Sequence, residues 1–402
     1  MPLRGHMVIG QSGGPTAVIN QSLAAAVLEA KRHRAIREIW GARNGMAGIL
    51  KGEFVDLRKE PAAVWKAVAR TPAAALGSAR KKPTPEECAR AVEIFRRHEV
   101  RYFFYIGGND SAESAHLIQQ EAARSGYEMA CYHIPKTIDN DLLENDHTPG
   151  YGSAARFVAC AVMGDTLDCR SLPGVKIDVI MGRHAGFLTA AAALARRHPD
   201  DGPHLIYLPE RPFSPERFAA SVEAVVQQFG FAVVAVSEGI ADEKGQPIAA
   251  GFTGEKDSHG NVQLSGTGAL GDWLAAELRR RTSITRVRAD TFGYLQRSFP
   301  AVVSETDARE AWQAGAVAVR LAVQRGDSGT VALVRRSGPR YGVQFERREL
   351  HQVARATRSM PDDFIAPSGH DVTEAFLEYA RPLVGPLPVP GRLRMKPVSL
   401  TH

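Results

Sequence analysis

The chain has 402 residues, which is enough for one large hydrophobic core or two moderate ones, and we expect two α/β domains. Hydrophobic residues make up 44% and charged residues 23%, which is ordinary for a soluble globular protein. The net charge of +6 comes from scattered basic residues, with no Lys/Arg block interleaved with aromatics. Anionic small molecules therefore explain the surplus better than nucleic acid does.

Cysteine spacing and apolar runs indicate where the protein works. The cysteines show no CxxC spacing, which favours reduced thiols in the cytoplasm. No apolar run approaches the ~20 residues of a membrane span. The N-terminus reaches its first strand without the apolar region of a signal peptide. We therefore expect a cytoplasmic protein that contacts neither membranes nor nucleic acid.

Strands followed by helices recur along the chain. The apolar runs predict strands over residues 6–9, 38–42, 101–106, 129–134, 176–181 and 231–236. Helical periodicity predicts helices over residues 17–33 and 86–97. The strand over 101–106 is apolar throughout, as expected in the middle of a parallel sheet. This alternation predicts doubly wound α/β domains with a boundary near Gly150, and the proline-containing tail after Gly385 predicts irregular structure.

Polar segments directly follow four of the predicted strands. They are residues 11–14, 107–111, 136–141 and 237–239. Ligands of doubly wound sheets bind at the carboxyl ends of the strands. We therefore expect these segments to converge on one edge and to form a binding site.

Several of these segments suit phosphate, although each has a plainer interpretation. Gly13 and Gly14 open a predicted helix, whose N-terminal N–H groups can hold an anion, but a Gly-Gly pair is more often an ordinary turn. Residues 107–111 can also hold an anion at the start of a helix. The plainer interpretation is that Asn109, Asp110 or Ser111 caps that helix. The guanidinium at residue 80 lies beside small residues, which suits phosphate, or it is a solvated surface arginine.

The segment over residues 136–141 is the most informative. It supplies a lysine, a threonine and two aspartates at a strand end, which are the parts that phosphoryl transfer needs. Further on, Arg183 lies between glycines and can clamp a sugar phosphate, whereas His184 suits a structural role better than metal binding. Residues 288–297 place two arginines and a tyrosine around one phosphate, or form a solvated loop. No GxxxxGK[ST] or HExxH motif occurs, so a P-loop or a zinc helix is not expected.

In this order, the segments resemble the phosphofructokinase family. The resemblance extends from Gly10 to about Phe345 and is carried by residues 12–14, 77–80, 107–111, 135–141, 181–183, 237–239 and 293–297. It implies two Rossmann-like α/β domains with the active site in the cleft between them. The donor domain would comprise residues 1–150 plus about 296–355. The sugar-phosphate domain would comprise residues 151–295 plus about 356–402.

The resemblance also implies a role for each candidate residue. Asp139 would be the general base toward the 1-hydroxyl of fructose 6-phosphate, with Asp141 orienting the site and Thr137 bonding the transferring phosphoryl group. The implied catalytic residues are Lys136, Thr137, Asp139 and Arg183. The implied sugar contacts are Thr137, Asp139, Asp141, Met181, Gly182, Arg183 and Glu238, and the implied 6-phosphate contacts are Arg288, Tyr294 and Arg297. The implied donor contacts are Gly13, Gly14, Arg80, Gly108, Asp110, Ser111 and Lys136.

Two positions indicate the phosphoryl donor. Members of the family that use ATP resemble this chain but have glycines where it has Asp110 and Lys136. The Asp110 side chain would fill space that a nucleotide needs, and Lys136 supplies charge for pyrophosphate and can pair with Asp110. The pair is the pattern of the pyrophosphate-dependent branch, whose reaction is readily reversible. An ATP-dependent 6-phosphofructokinase is the alternative.

The resemblance further implies Mg²⁺ and an oligomer. Many members have an acid in place of Asn109 that helps to bind Mg²⁺, so the metal would be held either by Asp139, Asp141, water and pyrophosphate oxygens or by Asp110. In relatives, an arginine matching Arg288 reaches in from a neighbouring subunit, and we expect a homodimer.

NAD kinases and lipid kinases are a further alternative, but they should lack the sugar-phosphate segments. A silent sugar-phosphate-binding subunit would have no need of Asp139.

Overall fold

Two β-sheets organise the protein in the computed structural model, which describes residues 3–252, 268–338, 340–354 and 356–393. The strands are β1 (Gly5–Gln11), β2 (Ile36–Ala42), β3 (Phe54–Asp56), β4 (Val100–Gly107), β5 (Ala130–Pro135), β6 (Val175–Ile180), β7 (Leu205–Tyr207), β8 (Ala232–Ser237), β9 (Val287–Thr291), β10 (Gly329–Arg335) and β11 (Val343–Arg348). The larger sheet has the order β11-β10-β5-β4-β1-β2-β3, and the smaller has the order β7-β8-β6-β9.

The larger sheet is parallel at its centre and antiparallel at both edges. β4 lies in the middle, pairs in parallel with β1 and β5, and is buried almost throughout, as its continuous apolar sequence predicts. β3 and β11 pair antiparallel at the two edges. The smaller sheet is parallel at each of its pairings. In both sheets the carboxyl ends of the parallel strands therefore carry the polar segments that follow them.

The helices cover the sheets and build the cores. They are α1 (Ile19–Ala30), α2 (Met46–Lys51), α3 (Ala62–Ala69), α4 (Pro85–Arg97), α5 (Asn109–Arg124), α6 (Tyr151–Ser171), α7 (Phe187–Ala190), α8 (Pro215–Phe229), α9 (Ala269–Arg281), α10 (Leu295–Ser298), α11 (Glu305–Arg325), α12 (Leu350–Val353) and α13 (Glu374–Val384). Among the described residues, no helix is long and apolar enough to cross a membrane.

Both faces of the larger sheet are buried. On one face, Met7 and Phe104 pack with residues of α1 and α11, such as Leu23 and Ala318. On the other face, Phe103 packs with residues of α4 and α5. Side chains of neighbouring strand residues point to opposite faces, so continuous apolar strands need helices on both sides. The arrangement confirms the predicted doubly wound α/β class.

A third core lies between the smaller sheet and the loop after β5. It contains α6 and α13, residues of the smaller sheet, and Ile138 from the loop after β5. The loop that carries the predicted catalytic residues follows a strand of the larger sheet and is thereby packed against the half of the molecule that contains the smaller one. Its position depends on α13, which lies more than 200 residues further along the chain.

The predicted strands all form, with ends shifted by at most two residues. The helix predicted over 86–97 is α4, which begins with a capping box at Thr84 and Glu87. The helix predicted over 17–33 is shorter and begins at Ile19. The tail is irregular over residues 386–393, and its remainder lies outside the described residues. β10 and β11 join the sheet of β1–β5. The limits of the domains stay a prediction.

Candidate active site

A cavity of about 500 Å³ lies between the two sheets, where the carboxyl ends of β1, β4, β5, β6 and β8 meet. Of the residues predicted from the sequence, these line it: Gly13, Gly14, Arg80, Gly108, Asp110, Ser111, Lys136, Thr137, Asp139, Asp141, Met181, Arg183, Glu238, Tyr294 and Arg297. Asn109 and His184 line it as well. The strand ends therefore bring together the segments that the sequence placed on one edge.

Two predicted residues do not line this cavity. Gly182 lies behind the lining, where its carbonyl accepts a hydrogen bond from Ser237 Oγ at 2.7 Å and its φ of +132° requires glycine. It thus shapes the turn that presents Met181 and Arg183. Arg288 is exposed on β9, and its guanidinium donates to the carbonyl of Val287. Its contact with a 6-phosphate stays a prediction that needs a second subunit.

The loop after β5 holds the two aspartates at the cavity. Asn140 between them has a left-handed φ of +59°, which is uncommon outside glycine. Its side chain holds it there, because Oδ1 accepts from the Thr148 amide at 3.0 Å and Nδ2 donates to Tyr379 Oη at 2.7 Å. This buried asparagine turns the backbone so that Asp139 and Asp141 both face the cavity.

Burial and mutual repulsion govern these two carboxyl groups. Burial raises the pKa of Asp139, and the charges of Arg297, Lys136 and Arg183 oppose the shift. Burial and the neighbouring Asp139 raise the pKa of Asp141 to about 7. Two carboxylates in one desolvated cavity resist being ionised together. An added cation or an arriving proton is therefore favoured at this pair.

Lys136 is almost fully buried, with 3% of its surface exposed. Its Nζ donates to the carbonyl of Gly14 at 2.6 Å. Burial, together with the charges of Arg297 and Arg80, lowers the pKa of the amine to about 7. The structure thus places the amine against the β1 segment, while the predicted ion pair with Asp110 stays a prediction. Because burial and the neighbouring cations destabilise the charged amine, an anion bound beside it would stabilise that charge.

Two glycines let cations approach the backbone at the end of the cavity where the implied donor contacts lie, which is called the donor end. A Cβ on Gly13 would lie 3.3 Å from Lys136 Nζ, and one on Gly14 would lie 3.2 Å from Arg297 Cζ. Helix α1 begins only at Ile19, so the expectation that Gly13 and Gly14 open this helix is wrong. They belong to the preceding loop. Their role in the structure is to make room for the two cations.

Hydrogen bonds join the Arg80 segment to the β1 segment and bring Arg80 to the cavity. Ser78 Oγ donates to the Gly13 carbonyl at 2.6 Å, and the Gly13 amide donates to the Ala79 carbonyl at 3.4 Å. The arginine therefore lines the cavity, although it remains exposed to solvent. The structure is thus compatible with both interpretations of Arg80, and its contact with phosphate stays a prediction.

Helix α5 points its first turn at the same end. Its N-cap is Gly108, and no side chain caps it, so the alternative of a cap by Asn109, Asp110 or Ser111 is wrong. Asp110 lies in the first turn and lines the cavity, where the positive end of the helix favours an acidic side chain. Its side chain thus takes up part of the donor end.

Several residues that line the cavity were not predicted from the sequence, among them Lys81, Lys82 and Thr357. Lys82 forms an ion pair of 2.8 Å with the buried Glu113 of α5, and Lys81 pairs with Glu87 at 2.6 Å. The two lysines follow Arg80 directly, and this basic run was the available signal. Thr357 comes from a segment without any motif and could not have been found.

Comparison with known proteins agrees with the geometry. The profile of the family described as "Phosphofructokinase" matches residues 6–322. This chain belongs to the phosphofructokinase family. It is 52% identical to the pyrophosphate–fructose 6-phosphate 1-phosphotransferase of Rhodospirillum rubrum over 95% of each chain. It is 40% identical to the enzyme of the same name from Xanthomonas campestris pv. campestris, over 94% of this chain and 91% of that one.

A solved structure of the family has the same fold. The pyrophosphate-dependent phosphofructokinase from Nitrosospira multiformis superposes with a TM-score of 0.85 at 32% identity, covering 98% of this chain and 95% of that one. The comparisons confirm the resemblance that the seven sequence segments carried.

Proposed function

We propose that this protein transfers a phosphoryl group reversibly from pyrophosphate to the 1-hydroxyl of D-fructose 6-phosphate, giving fructose 1,6-bisphosphate and phosphate. The observation that carries the proposal is the presence of Asp110 and Lys136 at the donor end of the cavity that also holds Asp139. Relatives between 36% and 52% identical over at least 93% of this chain are named for this reaction.

The donor end suits a small, highly charged ligand. Arg80, Lys82 and Lys136 line the cavity, and Arg297, which the resemblance implied as a 6-phosphate contact, lies against Gly14 at this end. The charges of Arg80 and Arg297 contribute to lowering the pKa of Lys136, so an anion bound among them relieves their repulsion. Pyrophosphate offers several negative charges in a volume that the Asp110 side chain leaves open.

Asp139 acts as the general base at the centre of the cavity. It accepts the proton of the 1-hydroxyl while that oxygen bonds to the nearer phosphorus, and the bond from this phosphorus to the departing phosphate breaks. Burial raises its pKa, which makes the carboxylate a stronger base toward the hydroxyl proton. In the reverse reaction the protonated Asp139 returns the proton.

The remaining side chains position the reacting groups and balance charge. Arg183 and Arg297 are close enough to Asp139 to affect its pKa, and they can stabilise charge on the transferring group. Thr137 lines the cavity beside Asp139, and its hydroxyl can bond that group. Met181, Glu238 and Tyr294 line the other end, where the sugar would lie.

The residues present fit Mg²⁺ held jointly with the donor. Within the described ranges, no group of three or more His, Cys, Asp or Glu residues could hold a metal ion. Magnesium is commonly bound by one or two carboxylates together with substrate phosphates and water. Asp139, Asp141 and Asp110 line the cavity, and the repulsion between the first two favours a cation. Bound there, Mg²⁺ would neutralise pyrophosphate charge.

Two further proposals concern the assembly and the compartment. The exposed Arg288 on β9, together with Leu295 and Phe299, which are 65% and 38% exposed, supports a homodimer whose partner covers this surface. Light scattering of the purified protein tests it. The four cysteines are free thiols, which supports a reducing compartment such as the cytoplasm.

The decisive experiment compares phosphoryl donors. The purified protein is given fructose 6-phosphate and Mg²⁺ with either pyrophosphate or ATP, and the formation of fructose 1,6-bisphosphate is measured. We expect turnover with pyrophosphate, and formation of pyrophosphate from fructose 1,6-bisphosphate and phosphate. The Asp139→Asn variant, purified in the same way, controls for contaminating kinases. Turnover with ATP alone would overturn the donor assignment.

A further inference from the structure

The segment that contains Thr357, Arg358 and Met360 lies directly behind the catalytic loop. Thr357 lines the cavity and forms an antiparallel bridge with Leu142. The neighbouring Arg358 amide donates to the Asp141 carbonyl at 2.9 Å. The C-terminal part of the chain thus supports the loop that carries both aspartates.

The Arg358 guanidinium bonds three carbonyls of this loop. Nε donates to Asn140 O at 2.9 Å, Nη1 to Asn145 O at 2.6 Å, and Nη2 to Asp146 O at 2.6 Å. A guanidinium offers several donors in a fixed planar fork, whereas a lysine ammonium has no such fork. The side chain therefore determines the spacing between the left-handed Asn140 and the returning end of the loop.

The same arginine also contacts the half of the molecule that carries Arg183. Its guanidinium carbon lies 4.8 Å from the ring centre of Phe187, which is buried in α7. Phe187 follows Arg183 by four residues. Because the ring is packed in the same core as Ile138 of the catalytic loop, the guanidinium has a fixed support.

Glu210 makes a second connection between the two loops. Its Oε1 accepts from the Gly186 amide at 2.8 Å and from the Met360 amide at 3.0 Å. Gly186 belongs to the turn after β6, and Met360 follows Arg358 by two residues. The segment thus contacts the Asp139 loop on one side and the Arg183 loop on the other.

We propose that Arg358 is a positioning residue, which acts without touching substrate and aligns Asp139 with Arg183 through the backbone of the catalytic loop. The inference rests on the proposed function of Asp139 as the base. Small misplacements of a reacting group cost much rate, about 10²-fold for 1 Å. Loss of the fork should therefore reduce kcat while the binding surfaces, which Arg358 does not line, keep their affinity.

The test compares Arg358→Lys with a matched control, Arg196→Lys. Arg196 is likewise half-buried, donates to a backbone carbonyl (Pro203 O, 2.7 Å) and holds the C-terminal part of the chain through Asp371. It lies outside the cavity lining. For each protein, kcat, both KM values and the melting temperature are measured with pyrophosphate and fructose 6-phosphate.

We expect Arg358→Lys to lower kcat about 10²-fold with both KM values within about threefold of the original, and Arg196→Lys to keep kcat. Arg358→Gln should lower kcat at least as much. A kcat for Arg358→Lys equal to that of the control, or a loss confined to KM, would contradict the proposal. So would unfolding of both Arg358 variants at the assay temperature, because the residue would then be structural. An inactive unmodified enzyme would instead refute the proposed function.

Discussion

The donor end and the sugar end of the cavity are built differently. At the donor end, Lys136 is 3% exposed and bonded to Gly14, and Arg297 lies against the same glycine. At the sugar end, Tyr294 is 50% exposed, and Arg288 lies outside the cavity. Under the proposed assignments, one chain supplies the donor end, and a second subunit would complete the sugar end. Donor selectivity should depend on residues within the subunit, and grip on the 6-phosphate should depend on assembly.

The largest effect is expected at the centre, where the two ends meet. Asp139→Asn removes the base and should lower kcat by about 10³-fold in both directions. Burial raises the pKa of Asp139, so its charged form destabilises the fold above the pKa of the unfolded chain, and the neutral variant should melt no lower at pH 8. Stopped assays and thermal melting measure both quantities. Unchanged turnover would contradict the assignment of the base.

Lys136→Met should impair the use of pyrophosphate without affecting the binding of fructose 6-phosphate. The variant loses the buried cation and should lower kcat/KM for pyrophosphate by about 10²-fold, with less than threefold change in the KM for fructose 6-phosphate. Lys31→Met is the matched control, because its amine bonds a backbone carbonyl, Glu60 O, at the surface. Equal losses for both substrates would show that the two ends are not separable.

The corresponding substitution at the sugar end is Arg288→Ala. We expect the KM for fructose 6-phosphate to rise about tenfold, the size of a lost charge-assisted contact, while the KM for pyrophosphate stays unchanged. Arg280→Ala on α9 provides a control, since Arg280 pairs with Glu277 on the surface. If light scattering shows the protein to be dimeric and the KM for fructose 6-phosphate is unchanged, then Arg288 does not contact the 6-phosphate.

The smallest effect is a pH dependence confined to the donor end. Burial is the main reason that the pKa of Lys136 is lowered to about 7 in the free enzyme. The amine is therefore mostly neutral above that pH. An anion binds the charged form, so the KM for pyrophosphate should rise with pH above 7, by up to about tenfold per unit. Pyrophosphate itself titrates equally in assays of both proteins. The Lys136→Met variant should therefore lack only the part of the rise in KM that comes from the lysine. Parallel profiles for the two proteins would exclude Lys136 as the titrating group.

The same lowered pKa has a consequence for stability. The unfolded chain binds the Lys136 proton up to a higher pH than the folded chain does, so the folded state gains stability as pH rises from about 7 toward the usual range of lysine. For Asp141, whose pKa is raised to about 7, the sign is opposite, and stability falls as pH rises toward 7. Lys136 and Asp141 thus affect stability in different pH windows, above and below about pH 7 respectively.

The sequence by itself determined strands β1, β2, β4, β5, β6 and β8, the fold class, the family and the choice of donor. Strands β1, β4, β5, β6 and β8 are mostly apolar along their buried lengths, so local composition was sufficient to locate them despite the buried polar residues Gln11, His133, Asp178 and Ser237. The short β3 and β7 and the partly exposed β9 and β11 lack that signal. The polar segments after the strong strands were enough to predict most of the cavity, because carboxyl ends of parallel strands meet at one edge.

Only the tertiary structure decided how these residues are held. Asn140 depends on Tyr379, and its backbone carbonyl on Arg358, which are separated from it by 239 and 218 residues. Lys82 reaches the cavity because the buried Glu113 pairs with it, and Lys136 bonds Gly14 across 122 residues. Such contacts leave no periodicity in the chain, since they depend on which surfaces the packed helices bring together. The sequence names the reacting groups, and long-range packing sets their geometry.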